Sequence, residues 1–308
     1  MLKIWKTKED KIVEIDEVEA NTWIGLISPT EEELNKVYQD TKIHFNLLKK
    51  VLDRHESARI ELREGSILIV LSIPIKREHG FRTVPVGIII AKENIVTLVN
   101  DEKLGKSLFQ NFSKTHRVNT DSETTFVLEL FMEIASHYQL ILNEMQALVE
   151  MKEKNLLNAT SNHDMKELLE IQKSLVYFIK ALNMNEVVFE KLMQGSILNF
   201  DETEMILLED VIIENKQAIN MATLYQDLLK SIMDSYGTIM SNNLNKVMKF
   251  LTGITIVFTI PTTVSSFMGM NVKLGYFNTG DLAFPILVLI SLILSLCVMW
   301  IFKRKNWL

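Results

Sequence analysis

The sequence predicts an α+β cytosolic domain carrying long stalk helices that end in two C-terminal transmembrane helices. Three observations predict it. Short β-type runs punctuated by glycine fill roughly the first 120 residues; helical periodicity nearly free of Gly and Pro follows from about residue 122; and two apolar segments of about 20 residues lie near the end of the chain.

Within residues 1–120 the strand candidates are 11–14, 23–27, 58–62, 67–75, 84–90 and 95–99, with Gly65 and Gly80 at turn positions. Thr30 followed by Glu33 has capping-box spacing and starts a helix through Val37, and Glu31, Glu32 and Glu33 complement the dipole of its first turn. Residues 121–200 read as a helical hairpin, with helices at 122–157 and 163–194 separated by the turn-rich stretch 158–162.

A third helix begins near Asp201, where Asp201 and Glu204 repeat the capping spacing. Its apolar seam, Leu208, Ile212, Ile219, Ala222, Leu229, Ile232, Tyr236 and Ile239, marks packing along its length. No proline interrupts the pattern before Pro261. At 1.5 Å per residue, a helix over 202–270 is on the order of 100 Å long, so the stalk at 201–249 runs out of the soluble domain. It enters a first span at 250–270, followed by an outer loop at 271–283, a second span at 284–302 and a basic tail at 303–308.

The formal charge of −6 is unevenly placed. Residues 246–308 hold six basic residues, Lys246, Lys249, Lys273, Lys303, Arg304 and Lys305, against Asp281 alone, a net +5 that leaves −11 on residues 1–245. An acidic bulk argues against a nucleic-acid partner and suits small cations. Lys246 and Lys249 before the first span, with the basic tail after the second, place both termini in the cytosol and the 271–283 loop outside. The expected location is therefore the cell (inner) membrane, multi-pass, with lipid around the spans and Trp300 and Trp307 at the cytosolic interface.

The segment MLKIWKTKED lacks the apolar core of a signal peptide, and a single cysteine, Cys297, permits no intrachain disulfide. The six histidines form no His-x-x-x-His pair, which argues against a zinc site, and no Walker-type loop is present to drive an ATP-powered pump. Nothing in the sequence points to an enzyme.

Steps of four and three from Asp234 meet Thr238, Ser241, Asn245, Met248, Thr252, Thr255, Thr259, Thr262 and Ser266. At about 100° per residue these positions return to the same side of a helix and form one stripe. A single threonine in a membrane helix most simply bonds to a backbone carbonyl or packs against another helix. A continuous stripe joined to Asp234 and Asn245 reads instead as the wall of an aqueous path. One helix supplies one wall, so a pore takes several copies around an axis, and the chain reads as a helical membrane channel subunit.

Gly269-Met270-Asn271 closes the first span at its outward end. Together with Ser241-Asn242-Asn243-Leu244-Asn245-Lys246-Val247-Met248-Lys249-Phe250-Leu251-Thr252, the Pro261-Thr262 pair, the second span and the ending Lys303-Arg304-Lys305-Asn306-Trp307-Leu308, it resembles the CorA family of magnesium and divalent-cation transporters. The resemblance is specific over 234–308 and architectural over the rest. It implies a homopentameric, funnel-shaped channel whose Gly269, Met270 and Asn271 ring captures hydrated Mg²⁺ at the outer mouth. It further implies a second polar ring at Asn245, an apolar gate at Met248 and Leu251, and a funnel position for Asp234. Plain helix packing is the alternative for Met248 and Leu251, and a solvated carboxylate the alternative for Asp234.

Mg²⁺ prefers oxygen ligands and gives up water reluctantly, so an amide ring can select it through its bound waters. Mg²⁺ is thus the expected transported ion and a candidate regulator, with Co²⁺, Ni²⁺ or Zn²⁺ as alternative cargo and a membrane-anchored scaffold or sensor as the alternative from another class. Two departures from the family pattern stand out. Lys273 occupies a position where many members carry a carboxylate. The stretch His44-Phe45-Asn46-Leu47-Leu48-Lys49-Lys50-Val51-Leu52 matches a family helix whose acid pair, with a stalk acid at the position of Asp210, holds inhibitory Mg²⁺ between subunits; here Lys49 and Lys50 replace both acids. Either they are ordinary surface lysines, or Lys50 sets a permanent charge against Asp210 of the next subunit.

Overall fold

The computed structural model describes residues 1–308 except 10, 79, 115–117, 159–161, 196, 271–282, 306 and 308, and for 155–158, 162–164 and 283 the backbone alone. The chain forms two compact units, Met1–Ile232 and Met233–Leu308.

In the first unit the order is β1 (Leu2–Lys8), β2 (Lys11–Ile15), β3 (Thr22–Ile27), α1 (Glu31–Thr41), α2 (Phe45–Val51), β4 (Arg59–Arg63), β5 (Ser66–Lys76), β6 (Phe81–Ala91), β7 (Asn94–Val99), α3 (Glu102–Phe112), α4 (Glu123–Asn158), α5 (Asn162–Met193) and the start of α6 (Glu202–Met268). The seven strands make one sheet in the order β2-β1-β3-β7-β6-β5-β4. Only β3 and β7 run parallel. Each strand expected from the sequence is present, with β6 beginning at Phe81 rather than Val84. Gly65 and Gly80 both take positive φ, as turn positions require.

Local chemistry explains the helix starts. Thr30 Oγ1 accepts from the Glu33 amide at 3.3 Å while Glu33 Oε2 accepts from the Thr30 amide at 3.0 Å, the reciprocal pair expected, and α1 continues past Val37 to Thr41. Asp201 and Glu204 repeat it at the head of α6, at 2.7 and 3.1 Å. The second oxygen of Glu204 also accepts from the hydroxyls of Ser122, Thr124 and Thr125, which ties the start of α4 to the start of α6. Burial alone would raise the Glu204 pKa, but these hydroxyl and amide donors hold it below the usual carboxylate range.

Helices cover both faces of the sheet. Leu34, Val37, Leu47, Leu48 and Val51 of α1 and α2 close one core against Ile24, Leu26, Val96 and Leu98. On the other face Trp23 stacks on Trp5 at 4.1 Å, is met by Phe109, Phe112 and Phe126, and donates its indole N–H to Thr97 Oγ1 at 2.8 Å. A buried indole thus keeps its hydrogen bond, which removes the cost of desolvating it. Pairing of β4 with β5 stops at Val70. Beyond it, the Asn185 amide of α5 stands in for a strand, accepting from Ser72 N and donating to Ser72 O, both at 2.9 Å, while Tyr138 of α4 also donates to Ser72 O at 3.0 Å. His137 Nε2 donates to Pro74 O at 3.1 Å, and burial pushes the His137 pKa down against the opposing effect of that hydrogen bond.

The buried positions of α6 in this unit are Leu208, Val211, Ile212, Asn215, Ala218, Ala222, Tyr225, Leu229 and Ile232. The sequence-derived seam is corrected at its far end. Tyr236 is half-buried and Ile239 is exposed, as is every residue of α6 from Gly237 to Thr252, and within the seam Ile219 is only half-buried.

The second unit holds the rest of α6 and α7 (Ala283–Arg304). α6 and α7 are the two helices among the described residues that are long and apolar enough to cross a membrane. Beyond Met268 the Gly269 amide bonds to Ser265 O at 3.1 Å and Ser266 O at 3.2 Å, which closes the helix.

Candidate functional site

The ten stripe positions, Asp234, Thr238, Ser241, Asn245, Met248, Thr252, Thr255, Thr259, Thr262 and Ser266, are all exposed. α7 explains which face of α6 is covered and which is left open. Gly253 is buried and Ile254, Val257, Ile260, Pro261, Val264 and Met268 are half-buried, a set whose three- and four-residue steps lie opposite the stripe at about 100° per residue. Their counterparts on α7 are Leu287, Ser291, Ser295, Val298 and Phe302, of which Ser291 and Ser295 are the buried pair. The apolar side of α6 faces α7, whereas the hydroxyl side is exposed among the described residues.

Three of the threonine hydroxyls in the span are locally satisfied. Thr255 donates to Leu251 O at 2.8 Å, Thr259 to Thr255 O at 2.7 Å and Thr262 to Phe258 O at 3.0 Å. The bond to a backbone carbonyl, the simpler reading of a membrane threonine, is thus present at these positions. Each proton goes to the helix backbone four residues back, which leaves the oxygen lone pairs outward as acceptors, the polarity a cation path needs. Thiol labelling checks the two faces: in a Cys297→Ser background, cysteines at Thr252, Thr255, Thr259 and Thr262 are expected to react with water-soluble reagents, and cysteines at Ile254, Val257 and Ile260 to resist them. Equal labelling of both faces would remove the stripe as a water-facing surface.

Met248 and Leu251, the expected gate, are 53% and 56% exposed and lie on the uncovered side. Gly269 and Met270 follow the helix end directly, while Asn271 of the expected mouth, Lys273 and Asp281 lie outside the described residues. At the opposite end the Arg304 guanidinium sits 5.6 Å from the Trp300 ring centre and Trp307 stacks on Phe302 at 5.4 Å, an aromatic and basic collar suited to a membrane interface.

The lysines singled out from the sequence are engaged within the chain. Lys50 Nζ bonds both oxygens of Glu61 at 2.8 Å, and chiefly for that reason the Glu61 carboxyl is held below the usual carboxylate range. Lys49 bonds Glu31 at 2.9 Å and lies 4.8 Å from the Phe45 ring centre. Asp210 is exposed and makes no ion pair among the described residues. Neither does any group of three His, Cys, Asp or Glu side chains among them converge as a metal site.

The contacting face of α7 escaped the sequence reading. Its signal was present as two serines four residues apart in an otherwise apolar span, opposite a glycine on α6.

The model of the CorA-like Mg²⁺ transporter protein family matches residues 18–304. Over 98% of both chains, this one is 26% identical to the cobalt/magnesium transport protein CorA of Methanocaldococcus jannaschii. It is 21% identical to the protein of the same name from Thermotoga maritima, over 98% of this chain and 88% of that one. Among solved structures, the complete CorA magnesium transporter of M. jannaschii superposes with a TM-score of 0.85 at 24% identity, covering 100% of this chain and 99% of that one.

Proposed function

The chain belongs to the CorA family of Mg²⁺ transporters, and on that premise we propose that it is one subunit of a passive, potential-driven Mg²⁺ channel. The observation that carries this reading is the opposition of faces on α6: hydroxyls and Asn245 on the side the chain leaves open, aliphatic side chains on the side given to α7. Copies of the chain around an axis, a homopentamer by family resemblance, turn that open side inward. Gly269, Met270 and Asn271 form the mouth, Asn245 a second polar ring, Met248 and Leu251 the gate, and Asp234 the entrance to the cytosolic funnel. Both termini are cytosolic and the membrane is the cell (inner) membrane. The driving force is the membrane potential, worth about 4.6 kcal/mol for a divalent ion across 100 mV, twice the single-charge value.

Mg²⁺ uptake into proteoliposomes containing only this protein tests the reading. Flux that follows an imposed potential without ATP is expected, and its absence in well-formed vesicles would overturn the proposal. The names of both relatives favour Co²⁺ as a second cargo, and competition by Co²⁺ in the same assay ranks the two ions.

Regulation follows the replaced acids. Lys50, already shared with Glu61, places a fixed positive charge toward Asp210 of the partner subunit in place of an inhibitory ion, and Lys49 adds a second. Each exposed pair contributes only about 0–1 kcal/mol, but repetition around a ring biases closed against open. Inhibition by cytosolic Mg²⁺ is therefore expected to be shallow, and Lys50→Asp to steepen it. Steep inhibition in the wild type, unmoved by changes at Lys49, Lys50 or Asp210, would place the regulatory ions elsewhere.

A further inference from the structure

α6 contains a proline where it packs against α7. Pro261 has no N–H, so the carbonyl four residues before it, Val257 O, loses its normal partner within the helix. In hydrocarbon an unsatisfied carbonyl is costly, and the chain supplies a substitute from the other helix: Ser295 Oγ of α7 donates to Val257 O at 3.4 Å, a long hydrogen bond. Ser295 is 9% exposed, and Gly253, one turn before Val257 on the same face, is also buried. The other buried serine, Ser291, donates within its own helix to Val288 O at 2.9 Å, so Ser295 alone of the pair crosses to α6.

We propose that Ser295 is a positioning residue for ion conduction. Its hydroxyl completes the backbone of α6 at the break made by Pro261 and so fixes the set of the pore-facing turns on either side, which carry Thr259 and Thr262. A proline break is the place where a helix bends most readily. With the carbonyl held from α7, that bend has one preferred value; without it the carbonyl turns toward other partners and the threonines move with it. The second span thereby takes part in pore geometry although none of its residues lies on the stripe.

The proposal rests on α6 being the pore wall, and a double-mutant cycle separates the two ideas. Pro261→Ala restores the missing N–H, so Val257 O regains its own partner and no longer needs Ser295. Ser295→Ala in the wild-type background is expected to lower the maximal Mg²⁺ flux by about threefold or more while leaving the half-saturating Mg²⁺ concentration within about twofold, because the mouth is untouched. The same substitution in the Pro261→Ala background is expected to change maximal flux less than 1.5-fold. Thermal unfolding of the detergent-solubilised oligomer, followed through the same four proteins, reads the hydrogen bond without reference to transport. Equal effects of Ser295→Ala in both backgrounds, in flux and in unfolding, would overturn the proposal by reducing Ser295 to packing. Coupling in unfolding with unchanged flux would overturn the positioning role and count against α6 as the pore wall, whereas loss of all flux from the wild type would overturn the functional reading alone.

Discussion

Asn271→Ala is expected to abolish Mg²⁺ flux, by roughly 100-fold or more, while the protein still assembles. A hydrogen bond to a charged or strongly polarised partner is worth about 1.5–3 kcal/mol, and in a ring of subunits the substitution removes every amide at the mouth at once. The water shell of Mg²⁺ then has no fixed oxygen acceptors to align it, and the ion meets the span with its dehydration cost uncompensated. Assembly is expected to be spared because Asn271 comes after Met268, the last residue of α6, and so after the half-buried α6 positions that face α7. The measurement is potential-driven uptake beside size-exclusion mass of the same preparation. Wild-type flux from the alanine variant would remove Asn271 from selectivity.

The second large effect is expected at the constriction. Met248→Ser and Leu251→Ser should each raise leak through the closed channel roughly tenfold, since an apolar ring closes by shedding water and a hydroxyl at that radius keeps it wet. Both side chains are more than half exposed, so the substitutions are expected to leave the fold of the subunit intact. Single-channel recording in bilayers under conditions that hold the wild type closed distinguishes the roles: unchanged leak would assign both residues to packing between subunits.

The parts of the fold that were legible in the sequence are those in which one local signal dominates. β5 is a run rich in Ile, Leu and Val between the positive-φ glycines Gly65 and Gly80, β6 continues from Gly80 with Val84, Val86 and Ile88–Ile90, and α4 to α6 carry apolar residues at helical steps for more than thirty residues each. β1 was missed because Lys3, Lys6 and Lys8 break its apolar character, its place in the sheet being set by pairing on both sides with β2 and β3. α3 is short and contains Gly105, a poor helix residue in isolation. The structure supplies the reason, since a Cβ there would stand 2.7 Å from Ile27 Cγ2 and force the helix off β3. The stripe on α6 was readable as a period, whereas its covering partner was not, because which face of one membrane helix meets another depends on a residue far away in sequence. Ser295 and Val257 are thirty-eight positions apart.

One feature of α6 bears on how the molecule comes to exist at all. From Gly237 to Thr252 every residue is exposed, and the stretch includes Gly237, Asn242, Asn243 and Asn245, all weak helix formers. A helical segment of that length and composition is marginal in water on its own propensity. In the proposed assembly its order is therefore supplied by the other subunits, and the free energy of that order belongs to association rather than to the chain. By mass action, dilution of subunits loosens these turns first, so for residues 237–252 protomer concentration acts as a folding variable.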